Sequence, residues 1–324
     1  MPACPTAGPS TVAVLIFAAA FGALGVAQAA STVPVPVPIA PRTLARIVLL
    51  DVVRAGDRTI AVGEQGYIAI SDDQGKTWRR AATPTEATLT AVYFVDTEHG
   101  WAVGHQSVIL HSNDGGITWQ RQSAPQTAVT LLDVWFMNTR HGIAVGAHGA
   151  FFRTDDGGNS WHAQVILNGE DRHLNAIAGG VDGKVFIAGE DGLLYGSNDG
   201  GTTWIRRKTP YEGSYFGVLR LAAHEVLIFG LRGHILRSSD DGVTWRESRS
   251  NSSASLLGGG WVGSKTVVLG GRVGTVLISR DRGKTFSRLA SSIRNDYAAV
   301  LPLAARSVLL VGQGGPVLSR LSDD

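Results

Sequence analysis

One short motif recurs six times along the chain: a Ser or Thr followed at fixed offsets by Asp, Gly, Ser or Thr, and an aromatic. The copies are Ser71-Asp73-Gly75-Thr77-Trp78, Ser112-Asp114-Gly116-Thr118-Trp119, Thr154-Asp156-Gly158-Ser160-Trp161, Ser197-Asp199-Gly201-Thr203-Trp204, Ser238-Asp240-Gly242-Thr244-Trp245 and Ser279-Asp281-Gly283-Thr285-Phe286. Their closing aromatics are 41, 42, 43, 41 and 41 residues apart. A repeat of that length, built from short β-rich runs and turn residues, is the sequence signature of propeller blades. The repeats run almost from end to end, so the 324 residues read as one closed all-β domain rather than two.

Each repeat reads as four strands. In the unit from Leu89 to Gln122, LTAVYFVD is the first strand, WAVGHQ the second, SVILHS the third and ITWQRQ the fourth. Second strands end on an apolar-Gly pair, as in Val62-Gly63, Val103-Gly104 and Phe229-Gly230, and the glycines are expected to serve tight turns of positive φ. A seventh unit starts near Tyr297 and ends before a motif or a fourth strand. The expectation is therefore a seven-bladed β-propeller, with six blades or an open ring as alternatives. Arg42 to Arg46, with part of the preceding arm, is expected to supply the missing outer strand, since closure removes free sheet edges.

The motif itself reads as structural. Its Asp can accept backbone amides of its own turn, its Gly supplies the special φ, and its aromatic packs between neighbouring sheets. This assigns Asp73, Trp78, Asp114, Trp119, Asp156, Trp161, Asp199, Trp204, Asp240, Trp245, Asp281 and Phe286 to the blade framework. Calcium would need six to eight oxygens, more than one or two carboxylates per turn provide. No cofactor or metal is expected.

The first 29 residues carry no charge, Thr11 to Ala27 is nearly all apolar, and Ala27-Gln28-Ala29 has the small-x-small pattern of a cleavage site. Residues 1–29 read as a signal peptide, although a basic start is missing; an uncleaved anchor or a misplaced start codon are the alternatives. Cleavage there would remove Cys4 and leave no cysteine. Residues 30–41, which include STVPVPVPIAP, read as a Pro-rich spacer that cannot donate a sheet ladder, and residues 42–324 as the propeller.

The unit apolar-Gly-x-x-Gly-x-apolar-x-x-Ser-x-Asp-x-Gly-x-Thr-Trp, seen in Val62 to Trp78 and Phe229 to Trp245, resembles the photosystem II stability/assembly factor family, within the wider Asp-box (neuraminidase-type) repeat class. The resemblance covers about residues 44 to 320. It implies a seven-bladed, non-enzymatic propeller in the periplasm or thylakoid lumen that holds a newly made membrane subunit, with an arginine-rich patch at the contact. The partner it implies is a subunit of a membrane-protein complex: a photosystem in a photosynthetic host, a transporter or other envelope complex elsewhere. The protein itself is expected to be a monomer, associated with a membrane only through its partner, and nucleic acid is not an expected partner.

Charge is segregated along the chain. Residues 1–199 hold 12 Lys and Arg against 18 Asp and Glu, residues 200–324 hold 17 against 9, and the net charge is +2. Arg206, Arg207, Lys208, Arg232, Arg249, Arg272, Arg288 and Arg294 fall on turns, outer strands or links of the basic part and form the expected partner-binding set. Guanidinium groups suit carboxylates or phosphates, and a clustered field speeds docking. The competing reading is a solvated rim.

The enzyme alternative is an Asp-box glycosidase of sialidase type, or a glycan-binding propeller. It finds little support: the adjacent pair Tyr211-Glu212 would point to opposite faces of a strand. Glu64 and Glu190, on the first and fourth blades, would be separated by the ring lumen, so both read as turn residues. His105, His111 and His148 on neighbouring blades read as turn or strand residues rather than a zinc site.

Overall fold

A computed structural model of the protein describes residues 35–321 apart from 126, 167–169, 264, 290–293 and 304–306. The signal-peptide reading, Cys4 and the first part of the spacer lie outside the described residues. Residues 34–324 form one compact unit.

Seven antiparallel sheets make up the unit, one per repeat, so the seven-bladed propeller holds. Blade 1 uses Leu49–Ala55, Arg58–Gly63, Ile68–Ser71 and Arg79–Arg80. The innermost strands of blades 2 to 7 are Leu89–Phe94, Leu131–Phe136, Leu174–Gly179, Tyr215–Ala222, Leu256–Val262 and Tyr297–Leu303. Second strands such as Gly100–Gly104 are buried throughout, because both faces of a blade's centre meet a neighbouring blade. Fourth strands are only two residues long, since the Asp box takes up the chain before them.

The box geometry explains the repeat. In blade 2 the Ser112 hydroxyl donates to Asp114 Oδ1 at 2.8 Å and accepts Gly116 N–H at 2.8 Å. Oδ1 also accepts the Thr118 amide, and Oδ2 accepts the Thr118 hydroxyl. Gly116 has φ +83°, and Trp119 Nε1 donates to its carbonyl at 2.9 Å. The Trp119 ring then meets Phe94 edge-on. Blade 3 departs from this pattern: Trp161 Nε1 donates instead to Gln122 of blade 2, whose amide also binds Gly157 O.

The glycines that end the second strands have a different cause from the one expected. Gly63 and Gly104 are extended, with φ −172° and −175°. A Cβ on Gly63 would lie 2.1 Å from Val48 O, and one on Gly104 2.0 Å from Thr88 O. Close approach of the incoming link excludes a side chain there. The left-handed conformation falls two residues later, at Gln65, Gln106, His148, Asp191, Arg232 and Val273.

Ring closure also differs from expectation. Arg42 to Arg46 supplies no strand to blade 7: Pro41–Leu44 is a short helical turn whose Leu44 is buried. The arm pairs instead with blade 1, Val37 opposite Arg80 and Pro38 opposite Arg79, giving that blade a fifth strand. Proline's missing donor is tolerated at this edge because Ile39 N–H supplies the bond, to Trp78 O at 2.9 Å. Blade 7 keeps three strands among the described residues. The seam is closed by packing, with Leu49, Val52, Ala61 and Trp78 of blade 1 against Ala299, Leu303, Leu309 and Val311 of blade 7.

Candidate partner-binding grooves and central channel

All seven inner strands carry a register irregularity between their first and third residues, and their second and third residues line a central channel of about 240 Å³. At the first four blades, polar groups there bridge to the next blade. Asp51 Oδ2 accepts Val92 N–H, Thr90 Oγ1 donates to Leu131 O, Asp133 Oδ2 accepts Ile177 N–H, and Asn175 Nδ2 donates to Tyr215 O, all within 2.7–2.8 Å. Burial pushes Asp51 up to about 7 against the pull of its bonds from Val92 and Val52. Burial likewise pushes Asp133 up to about 8, with the Asp51 charge adding to the effect. As whole residues both are partly exposed at the channel. Their sequence signal was the tetrapeptide Leu-Leu-Asp-Val, present at both Leu49–Val52 and Leu131–Val134.

At the rim, the turn after the second strand and the chain after the fourth strand face each other across a groove. In blade 4 this groove, of about 760 Å³, is lined by Arg172, Asp191, Arg206, Arg207, Lys208 and Tyr211, among others. Arg206 lies 3.2 Å from Glu170, while Arg172 approaches Glu170 at 3.4 Å and Asp191 at 3.7 Å. Arg207 Nε is buried without a partner. Tyr211 closes one end, stacked on His234 at 3.9 Å.

The structure thus brings together three of the eight expected partner-binding residues. It does not bring Arg232, Arg249, Arg272, Arg288 or Arg294 into this groove. All five are exposed. Arg232 occupies the blade 5 turn, and Arg272 lies 3.3 Å from Asp296. The Arg249 backbone bridges to Thr285, and Arg288 is on the outer strand of blade 6.

Sequence reading missed Arg172, counted within the acidic half. It also missed a second basic groove of about 580 Å³ on blade 1, lined by Arg42, Arg46, Glu64 and Arg80, with Arg80 4.0 Å above the Tyr67 ring. The overlooked signal is a register: Arg80, Arg121, Arg206 and Arg288 each stand two residues after a box aromatic.

Glu64 and Glu190 are turn residues, as the simpler reading had it. Glu64 Oε1 accepts Val48 N–H at 3.1 Å and Glu190 Oε2 accepts His173 N–H at 2.9 Å, so each holds the link into its own blade. His111 stacks on Trp101, whereas His148 pairs with Asp171. Among the described residues, no group of three or more His, Cys, Asp or Glu is placed to hold a metal ion, and no helix is long and apolar enough to cross a membrane.

The family model for the photosynthesis system II assembly factor YCF48 matches residues 70–129 and 122–253. The chain belongs to that family. Among solved structures, "YCF48 bound to D1 peptide" is 18% identical and superposes with a TM-score of 0.71 over 91% of this chain and 100% of that one. YCF48 from Cyanidioschyzon merolae is 19% identical, with a TM-score of 0.70 over 88% of this chain and 97% of that one. A GH74 xyloglucanase from Xanthomonas campestris is 14% identical, with a TM-score of 0.68 over 89% of this chain and 53% of that one. At these identities the likeness is one of fold. No curated protein matches the sequence.

Proposed function

We propose that this member of the YCF48 family is an exported, non-catalytic propeller that holds a segment of a membrane-protein subunit while its complex assembles. The observation that carries the reading is the blade 4 groove, where Arg172, Arg206, Arg207 and Lys208 converge. Family membership and the relative solved with a D1 peptide support a polypeptide as the ligand. The groove suits a carboxylate-bearing segment, since guanidinium forks recognise carboxylates in two-point fashion. The client is a photosystem subunit in a photosynthetic host and a transporter or other inner-membrane complex elsewhere. The uncharged, apolar residues 1–29 support export to the periplasm or lumen. A glycosidase would need a free carboxylate pair, and Glu64 and Glu190 are each committed to a backbone amide.

Affinity capture from native membranes, with mass-spectrometric identification, tests this. The wild type should enrich one membrane-protein subunit, and raising the salt concentration should weaken capture because exposed charges are screened within about 8 Å at physiological ionic strength. Reversing Arg206 and Lys208 to Glu should abolish capture while leaving the melt unmoved, since both are exposed at the rim. Undiminished capture by that variant would reduce these cations to a solvated rim.

A further inference from the structure

The outer edge of blade 7 differs from every other. In blades 1 to 6 a two-residue strand pairs with the outer side of the third strand, whereas Val317–Arg320 has no outer neighbour among the described residues. Leu318 stands opposite Leu309, whose side chain packs in the seam against blade 1. Leu318 therefore faces blade 1, yet it is 48% exposed.

Beside this edge, between blade 1 and the segment that leads into Val317, lies a groove of about 400 Å³, lined by Pro38, Ile39, Leu44, Lys76, Trp78 and Pro316, among others. At two other blade junctions this space is filled from the preceding blade. Ala82, just beyond the outer strand of blade 1, bridges to Thr118 in the blade 2 box, and Arg249 of blade 5 bridges to Thr285 in the blade 6 box. The corresponding Thr77 of blade 1 lines the groove instead. An unpaired edge strand is a template for another strand, and this one carries no central proline or bulge to blunt it.

We propose that the open edge of blade 7 takes up an extended segment of a client polypeptide as its missing outer strand. Main-chain bonds to the edge supply affinity, and alternate side chains supply selection. The residue opposite Leu318 points into the groove and is apolar, matching Ile39, Leu44 and Trp78. The client residues two positions to either side share that face, because side chains alternate along a strand, and these are acidic. Arg320, two residues from Leu318, stands on the same face, Lys76 lines the groove, both are exposed, and no carboxylate lines the groove. The inference rests on the client-holding reading but uses a surface separate from the blade 4 groove.

The probe is the peptide Thr-Asp-Thr-Val-Thr-Asp-Thr, whose valine and aspartates share one face, added to the full chain, with fluorescence anisotropy for affinity and hydrogen exchange for location. Binding should slow exchange across Val317–Arg320. Leu318→Pro should weaken it at least about tenfold, and Lys76→Glu, at an exposed position, should weaken it and shift preference to a second peptide with lysine in place of each aspartate. Arg206→Glu with Lys208→Glu, both exposed, should leave peptide binding intact even while abolishing membrane capture, which separates this inference from the reading above. Any one of four results would overturn it: affinity unchanged by Lys76→Glu, protection confined to another blade, slow exchange of the edge without peptide, or dimerisation of the free protein through this edge.

Discussion

Trp101→Ala is expected to destabilise the fold by about 3–5 kcal/mol, the range for emptying a buried tryptophan site. Trp101 is fully buried in the second strand of blade 2. Its ring stacks on Phe136 of blade 3 and on His111, with ring centroids 3.5 and 4.8 Å away. Its Nε1 donates to Gly157 O in the blade 3 box at 3.2 Å, so a single ring joins two blades by packing and by a hydrogen bond. Alanine would remove both and leave the Gly157 carbonyl with Gln122 as its remaining partner. Trp101→Phe keeps most of the apolar contact and should recover the larger part of the loss, because one hydrogen bond contributes only about 1 kcal/mol net. Denaturant unfolding of the three proteins decides the matter. A loss below about 1 kcal/mol for the alanine variant would mean that the blade 2–blade 3 contact is not held by this ring.

The second large effect is on the pH dependence of stability, which should be highest near pH 4 and fall on both sides. On the alkaline side the cause is the channel. Asp51 and Asp133 hold their protons to about 7 and 8 in the folded protein, whereas in the unfolded chain they release them near 3.8. The folded state therefore binds more protons between those values. The stability this confers is complete below pH 4 and is lost as pH rises through 7–8.

On the acid side the boxes act in the opposite sense. The hydroxyls of Ser160, Thr203 and Thr244, with backbone amides, hold Asp156, Asp199 and Asp240 at about 2. Asp73, where burial opposes the same kind of bonds and is outweighed, also lies at about 2. Their contribution is present above pH 4 and disappears as pH falls toward 2. Thermal melts from pH 2 to 9 should show both limbs. Asp51→Asn with Asp133→Asn should flatten the alkaline limb while lowering the melt overall, because an amide cannot accept both backbone bonds. An unchanged alkaline slope in that double variant would assign the limb to other groups.

The blade architecture was legible because the box is a local device. Ser, Asp, Gly, Thr and Trp satisfy one another within a few residues, so their spacing survives in the sequence whatever surrounds them. The glycine of the apolar-Gly pair was legible as a position but not as a cause: what excludes a side chain at Gly63 is Val48 O, fifteen residues earlier in the chain. The N-terminal arm was misplaced for a related reason. Its prolines argue against a ladder in general, yet an edge strand needs few donors and Ile39 supplies one. The basic groove was half-visible. Arg206, Arg207 and Lys208 are consecutive, but Arg172 joins them only because the turn and the outer strand of one blade meet at the rim. The channel carboxylates depended on a bulge repeated in seven strands, which hydrophobic alternation does not reveal.

The seam between blades 7 and 1 also gives the ring a topological property. Each of the other six interfaces is crossed by the polypeptide itself, so separating those blades still leaves them tethered. The seam has no such tether and, among the described residues, no shared strand. Parting the contact of Leu309 and Val311 with Leu49 and Ala61 would turn a circle into a line without breaking a covalent bond. The molecule is a bracelet with one clasp, and the open edge of blade 7 lies beside it.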